Sequence, residues 1–178
     1  MRQRFVVLTV LVLGLSLAAL HAQNVTRETL PGVTNFARVE TTIACAGATT
    51  PEALAGLKKM GYASVVNLRV ASEPGAEIEA EAAAAKAAGV NFIHLPFNVT
   101  SPDPMLVDNF LKAITAPGNQ PAFVHCASGN RAAALWMIKR VEVDKWDIDR
   151  AESEAVALGM TSPAMKTFVM NHLQSRTR

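Results

Sequence analysis

Cysteine is scarce in this 178-residue chain: Cys45 and Cys126 are the only two, beside four histidines. Two cysteines permit one disulfide at most, not a stapled scaffold. His94 and His172 do not stand at metal-ligand spacing from Cys, Asp or Glu, so the sequence assigns no metal and calls for no cofactor. An excess of charge of one sign is also missing. Without residues 1–22, which hold Arg2 and Arg4, Lys plus Arg falls from 17 to 15 against 15 Asp plus Glu. A chain without a basic excess offers no electrostatic footprint for nucleic acid. Internal repeats, a low-complexity tail and a linker are absent too, which leaves one domain with a core of its own.

No apolar run is of full membrane-spanning length. Phe5 to Leu20, interrupted by Thr9, Gly14 and Ser16, has 16 residues, short of the roughly 20 that cross a bilayer. A basic start, this run and Ala22 read together as a secretory signal cleaved after Ala22, although Leu20 is bulkier than the small residue preferred there. The competing reading is an uncleaved anchor. No cysteine stands near it to carry lipid. The expectation is a signal peptide over 1–22, a single domain over 23–178 with its core at about 35–173, a periplasmic or secreted location, and no stable membrane contact after cleavage.

After a polar approach from Gln23 to Asn35, strand and helix patterns alternate. Val39 to Cys45 reads as a strand. Thr50 and Pro51 open a helix, hydroxyl at the cap and proline in the first turn, and Gly61 ends it. Ser64 to Leu68 is a β-branched core strand, Ile78 to Ala88 a helix closed by Gly89, Val90 to Leu95 a strand, Met105 to Ala116 a helix and Ala122 to His125 a strand. The alanines of the second helix suggest packing on one side and solvent on the other, with Glu77, Glu79 and Glu81 on the solvated face. Three strand–helix–strand units in a row imply an α/β fold, a mainly parallel central sheet flanked by helices. The C-terminal part is helical: Asp147 caps Ile148 to Leu158, Gly159 ends that helix, and Ser162 with Pro163 starts another to about Leu173. Trp136 and Trp146 pack these helices together. Parallel sheets bind ligands at their carboxyl edge, where Arg69, Glu73 and the loop from Asn98 to Pro104 are expected.

HCASGNR, His125 to Arg131, stands at that edge. Pro117, Gly118 and Asn119 signal a turn before its strand, and Arg131 to Lys139 are mostly helix formers. A strand-to-helix loop aims backbone N–H groups at one point, to which the positive end of the helix adds, so its natural guest is an anion. Such a loop suits a thiolate nucleophile at Cys126. Arg131 supplies a planar fork for a tetrahedral oxyanion, and Gly129 lets the backbone bend toward it. The alternative makes Cys126 a small buried residue and Arg131 a surface charge. His125, in the strand, points to the opposite face from Cys126 and orders the loop by hydrogen bonds rather than acting as a base. If the Cys45 strand runs parallel to the motif strand, both cysteines lie at one edge, where a disulfide would switch the nucleophile off. The other reading makes Cys45 a core residue.

This motif resembles the signature loop of cysteine-dependent protein tyrosine and dual-specificity phosphatases, which begins with His-Cys and ends with Arg. From Asn35 to about Leu173 the order of elements is similar to that of the bacterial phosphatase-like group related to the domain of beta-lactamase-hydrolase-like proteins. The landmarks are Thr50-Pro51-Glu52, Val65 to Arg69, His94-Leu95-Pro96, and HCASGNR followed by Leu135-Trp136. The resemblance implies a dual-specificity-type cysteine-phosphatase fold, Cys126 as nucleophile, Arg131 as oxyanion clamp, and the amides of Ala127, Ser128, Gly129, Asn130 and Arg131 as the substrate cradle.

Three departures set this chain apart. Tyrosine phosphatases place five residues between Cys and Arg; here four stand there, a length resembling the persulfide loop of rhodanese-type sulfurtransferases. Ala132 replaces the Ser or Thr whose hydroxyl favours the departing thiolate. Phe97 and Asn98 stand where many relatives carry a general-acid Asp, and Asn cannot cycle a proton as a carboxylate does. Asp103 is the nearest carboxylate that could serve, but Ser101 to Pro104 also reads as a turn and helix cap ahead of Met105. Three functions stay open. The preferred one is hydrolysis of a small-molecule or protein phosphate ester through a Cys126 thiophosphate. The second is sulfur transfer from a sulfane-sulfur donor through a Cys126 persulfide. The third is a non-catalytic anion-binding or interaction domain, and fold likeness alone does not choose among them.

Overall fold

Four short apolar runs, each ending near a polar residue or glycine, build the parallel part of the sheet. In the computed structural model, which describes residues 25–39 and 41–176, these are β3 (Ile43–Ala46), β4 (Ser64–Asn67), β5 (Asn91–His94) and β6 (Ala122–His125). The expected leader at 1–22 lies outside the described residues. Two N-terminal strands, β1 (Val25–Arg27) and β2 (Ala37–Val39), complete a six-stranded sheet in the order β1-β2-β3-β6-β4-β5. The pairs β3–β6, β6–β4 and β4–β5 are parallel, and β1–β2 and β2–β3 antiparallel. The sheet is thus mainly parallel, as expected, with β6 between two parallel neighbours.

The expected single strand over Val39 to Cys45 is two strands joined by a reversal. Thr41 and Thr42, whose β-branched side chains read as strand, form the turn, with Thr42 N donating to Val39 O at 3.1 Å. The polar approach also holds β1, which the sequence pattern did not show. The first helix begins later than Thr50: α1 (Ala53–Lys59) follows a turn in which Ala53 N donates to Thr50 O and Leu54 N to Pro51 O.

Helices cover both faces. α1 and α2 (Ile78–Ala88) lie on one side with Leu54, Leu57, Val65, Ala85, Val90 and Phe123 in their core. On the other side are α3 (Leu106–Thr115), α4 (Asn130–Glu142), α5 (Ile148–Leu158) and α6 (Pro163–Arg176). The centre of that layer is α4, whose residues 132–138 are buried on every side, the behaviour of a helix apolar all round. Asp147 caps α5 as expected, accepting from Arg150 N at 2.8 Å, and Gly159 follows its end. Trp136 and Arg140 of α4 both donate to Glu154 of α5, at 2.6 Å and 2.7 Å, and Trp146 lies between the guanidinium groups of Arg140 and Arg150, 4.2 Å and 3.6 Å from its ring. Among the described residues no helix is long and apolar enough to cross a membrane.

One expectation is reversed on α2. Glu77 and Glu79 are exposed, but Glu81 is 0% exposed. Glu81 and Ala85, one turn apart, form the stripe that lies on the sheet, and the carboxylate is accommodated there because Asn67 and His125 meet it.

Candidate active site

The strand-to-helix passage at the end of β6 is a tight loop because Gly129 adopts φ +97° directly before α4, a conformation that favours glycine. Cys126 N donates to Ala46 O at 3.2 Å, which ties the start of the loop to β3, and Gly129 N donates to Cys126 Sγ at 3.2 Å. Among the described residues, the amides of Ala127, Ser128, Asn130 and Arg131 donate to no backbone carbonyl. They are the free donors at the start of a 13-residue helix, as an anion cradle requires.

The loop is braced from outside by residues that the sequence did not single out. Ala48 N donates to Ala127 O at 3.1 Å, Asn35 Nδ2 donates to Ser128 O at 3.2 Å, and Gly47 bridges Ser128. A Cβ on Gly47 would meet Ala127 O at 3.0 Å and Ser128 Cα at 3.2 Å as well as the Thr34 hydroxyl, so only glycine lets the two backbones approach. Asn130 works outward: its Oδ1 accepts from Thr161 N at 2.8 Å and Ser162 N at 2.7 Å. This fixes the α5–α6 connection beside the loop.

Arg131 is 8% exposed and held in a fork. Its Nη1 donates to Glu73 Oε1 at 2.6 Å and Nη2 to Glu73 Oε2 at 2.8 Å, while Nη1 also donates to Leu68 O at 3.2 Å and Phe97 O at 2.9 Å. Glu73 is itself fixed: its Oε1 accepts from Val70 N at 2.8 Å, and Arg69 Nε stands 3.5 Å from Oε2. Burial pushes the Glu73 carboxyl up, but hydrogen bonds from Arg131 and Val70 and the charges of Arg131 and Arg69 outweigh it and hold it at about 2. Burial likewise opposes the charge of Arg131, and Glu73 and the Cys126 sulfur together overcome it, raising its pKa. The sequence placed Arg69 and Glu73 at this edge; that Glu73 grips Arg131 follows from contacts across 58 positions of chain.

The cleft above the loop has a volume of about 470 Å³. Ser128, Asn130 and Arg131 of the motif line it, with Val70, Ser72 and Glu73 from one loop, Phe97, Asn98 and Val99 from another, and Ser162 and Met165 at the start of α6. Cys126 is 1% exposed and does not itself line the cleft; its sulfur lies next to Arg131, which does. Asp103 is not in the wall. It is exposed and closes the turn ahead of α3, its Oδ1 accepting from Met105 N at 2.8 Å, without capping the helix itself. Asn98 lines the cleft and shapes its loop by accepting from Thr100 N at 3.1 Å and from the Thr100 hydroxyl at 2.9 Å.

His125 does face away from Cys126, as expected, but its ring does not bond to the loop. It lies against Phe123, centroids 5.6 Å apart, and its Nε2 is 3.0 Å from Glu81 Oε2. Cys45 and Cys126 are both free thiols. Cys45 pairs with Val124 across the ladder, two residues short of Cys126. Burial pushes its thiol far up, and Cys126 and Glu154 add to this, which makes Cys45 an unreactive core residue.

With this geometry the comparisons agree. The family model for the beta-lactamase hydrolase-like protein, phosphatase-like domain, matches residues 35–143. No curated protein matches the chain. Among solved structures it is similar to TpbA of P. aeruginosa, with 20% identity over 85% of this chain and 91% of that one and a TM-score of 0.65. It is also similar to the core catalytic domain of the PP-IP phosphatase SIW14 of S. cerevisiae, at 18% identity over 80% and 87% and a TM-score of 0.64. A DUF442 phosphatase candidate of Shewanella putrefaciens CN-32 gives 18%, 79%, 89% and 0.65. At these identities the likeness establishes a cysteine-phosphatase fold.

Proposed function

Because the chain belongs to the phosphatase-like domain family of beta-lactamase hydrolase-like proteins, we propose that it is an exported cysteine-dependent phosphatase acting on a phosphate ester. One observation carries this reading. A thiol at a strand end stands beside a guanidinium held by a carboxylate and the free amides of a helix start, and that guanidinium lines a cleft. In the first step Cys126 Sγ attacks phosphorus and the ester P–O bond breaks, giving the alcohol and a thiophosphate. In the second, water attacks phosphorus, phosphate leaves and the thiolate returns. Arg131 and the amides of Ala127, Ser128, Asn130 and Arg131 hold the equatorial oxygens in both steps. Export is supported by the basic start and the apolar run from Phe5 to Leu20.

The carboxylates do not include a ready general acid. Glu73 is committed to Arg131, and Asp103 lies outside the cleft in the turn ahead of α3. The leaving group therefore takes its proton from water, which suits an alcohol of low basicity such as a phenol. The cleft wall supports the same class of substrate. Among the described residues Arg131 is the one cation of this lining, Glu73 neutralises it, and Val70, Val99 and Met165 offer apolar surface. TpbA has been solved with pTyr, and SIW14 is a PP-IP phosphatase. An ester with a single phosphate and an uncharged body fits this wall; a polyphosphate would find no second cation. A volume of about 470 Å³ also suits an organic ester better than a small sulfane-sulfur donor.

The test uses the chain from Gln23 onward, reduced, with an aryl phosphate and separately with thiosulfate. Phosphate release that vanishes in Cys126→Ser, with a phosphoryl group on the Cys126 peptide, is the expected result. Release that persists in Cys126→Ser, or a sulfur adduct without phosphate turnover, would overturn the proposal.

A further inference from the structure

On the face of the sheet away from the cleft, the carboxyl ends of β4 and β6 carry a polar layer. Asn67 and His125 are register partners on that face, both 0% exposed. Glu81 of α2, also 0% exposed, comes down on them. Asn67 Nδ2 donates to Glu81 Oε2 at 2.7 Å, and His125 Nε2 stands 3.0 Å from the same oxygen, a polar contact rather than an aligned hydrogen bond. Glu81 Oε1 and His125 Nδ1 are buried without a hydrogen-bond partner.

Stability does not account for this arrangement. A buried carboxylate facing an imidazole with polar atoms left over is no better for folding than an apolar pair of the same volume. The alanine-rich helix around Glu81 would accept one. What the carboxylate has is position. His125 is bonded to Cys126, and its carbonyl accepts from Leu68 N at 2.9 Å. On the other arm, Asn67 Oδ1 accepts from Arg69 N at 2.7 Å, and His94 Nε2 meets Arg69 O at 2.8 Å. The Arg69 guanidinium then donates to Pro74 O at 2.5 Å and Gly75 O at 2.7 Å, fixing the loop whose Glu73 grips Arg131. One carboxylate thus grips two strand ends, one leading to the nucleophile and the other to the support of the oxyanion clamp.

We propose that Glu81 is a positioning residue of the active site, which from behind the sheet fixes Cys126 relative to the Arg69–Glu73 loop that holds Arg131. The inference rests on reading Cys126 as a phosphatase nucleophile. Without Glu81 the fold stands, but the sulfur and the guanidinium lose their mutual register, and a misplacement of about 1 Å costs on the order of 10²-fold in rate.

Glu81→Leu and Glu81→Gln test it through three measurements: kcat and KM for an aryl phosphate, the rate of iodoacetamide alkylation on the Cys126 peptide at one pH, and the urea midpoint. For Glu81→Leu the expected result is a lowered midpoint, because Asn67 Nδ2 and the His125 ring stay buried without their partner, together with a kcat of the folded protein lower by about tenfold or more with KM within about twofold, and an altered alkylation rate. Glu81→Gln keeps the shape and an acceptor for Asn67 and should recover most of the loss. A Leu variant within about twofold of the parent in kcat and alkylation overturns the proposal. So does a lowered midpoint in both variants, which would make the residue a fold element only. Alkylation needs no ester, so a parent that hydrolyses none would sink the phosphatase reading while the alkylation rates still decide on Glu81.

Discussion

Two arginines stand at the two ends of α4, and their surroundings separate chemistry from architecture. Arg131 and Arg140 are almost equally buried, 8% and 6% exposed, and each meets both oxygens of one glutamate, Glu73 or Glu154. Arg140 is enclosed: Trp136 and Trp146 lie on its guanidinium, Asp144 takes a further bond at 2.8 Å, and the Trp136 indole donates to the same Glu154 at 2.6 Å. Arg131 has a carboxylate and two carbonyls on one side and the wall of a cleft on the other. A buried, paired guanidinium is therefore no sign of function by itself. What marks Arg131 is the cleft and the free amides that share it.

Substitutions at the two ends should pull activity and stability apart. The largest effect is expected from Arg131→Ala, which should lower kcat/KM for an aryl phosphate by about 10²–10³-fold. Arg131→Lys should recover little, since a point charge cannot replace the fork; steady-state kinetics checks both. Arg140→Ala should do the reverse, costing about 3–5 kcal/mol in urea unfolding because Glu154 is left buried without its counter-charge, with only the Trp136 indole among the described residues donating to it. Its folded fraction should turn over substrate at the parent rate.

The Glu73 clamp gives a pH signature. The folded protein holds this carboxyl at about 2 against an ordinary 4.5. Its contribution is complete above pH 4.5 and is lost as pH falls toward 2. The difference in urea midpoint between the parent and Glu73→Gln should be widest above pH 4.5 and shrink below it. The smallest effect is expected at Asp103. Asp103→Ala should cost about 1 kcal/mol at most as a lost turn hydrogen bond and leave turnover unchanged even with a poor leaving group; slowed release of that leaving group would make Asp103 an acid and collapse the contrast between turn and catalyst.

Local pattern made much of this legible. Ala122 to His125, the glycine at 129 and the helix formers after it are contiguous, so the strand, the turn and the helix start could be read directly, along with the anion site they create. Thr41 and Thr42 misled because β-branched residues suit strands, while the turn they form is dictated by the pairing of β2 with β3. Glu81 misled for a related reason. The alanines of α2 show that one stripe packs, but not that a carboxylate within the stripe meets a histidine and an asparagine from two strands.

By itself the sequence determined the α/β layering, the anion loop with Cys126 and Arg131 at its ends, and the family likeness carried by HCASGNR. Each of these depends on neighbours a few positions apart. The tertiary structure alone decided that Glu73 grips Arg131, that Glu81 lies behind His125, that Asp103 stays out of the cleft wall, and that Cys45 is core. Those partners are set by the strand order β3-β6-β4-β5, which joins residues far apart in the chain, and local periodicity carries no record of which strand ends will meet.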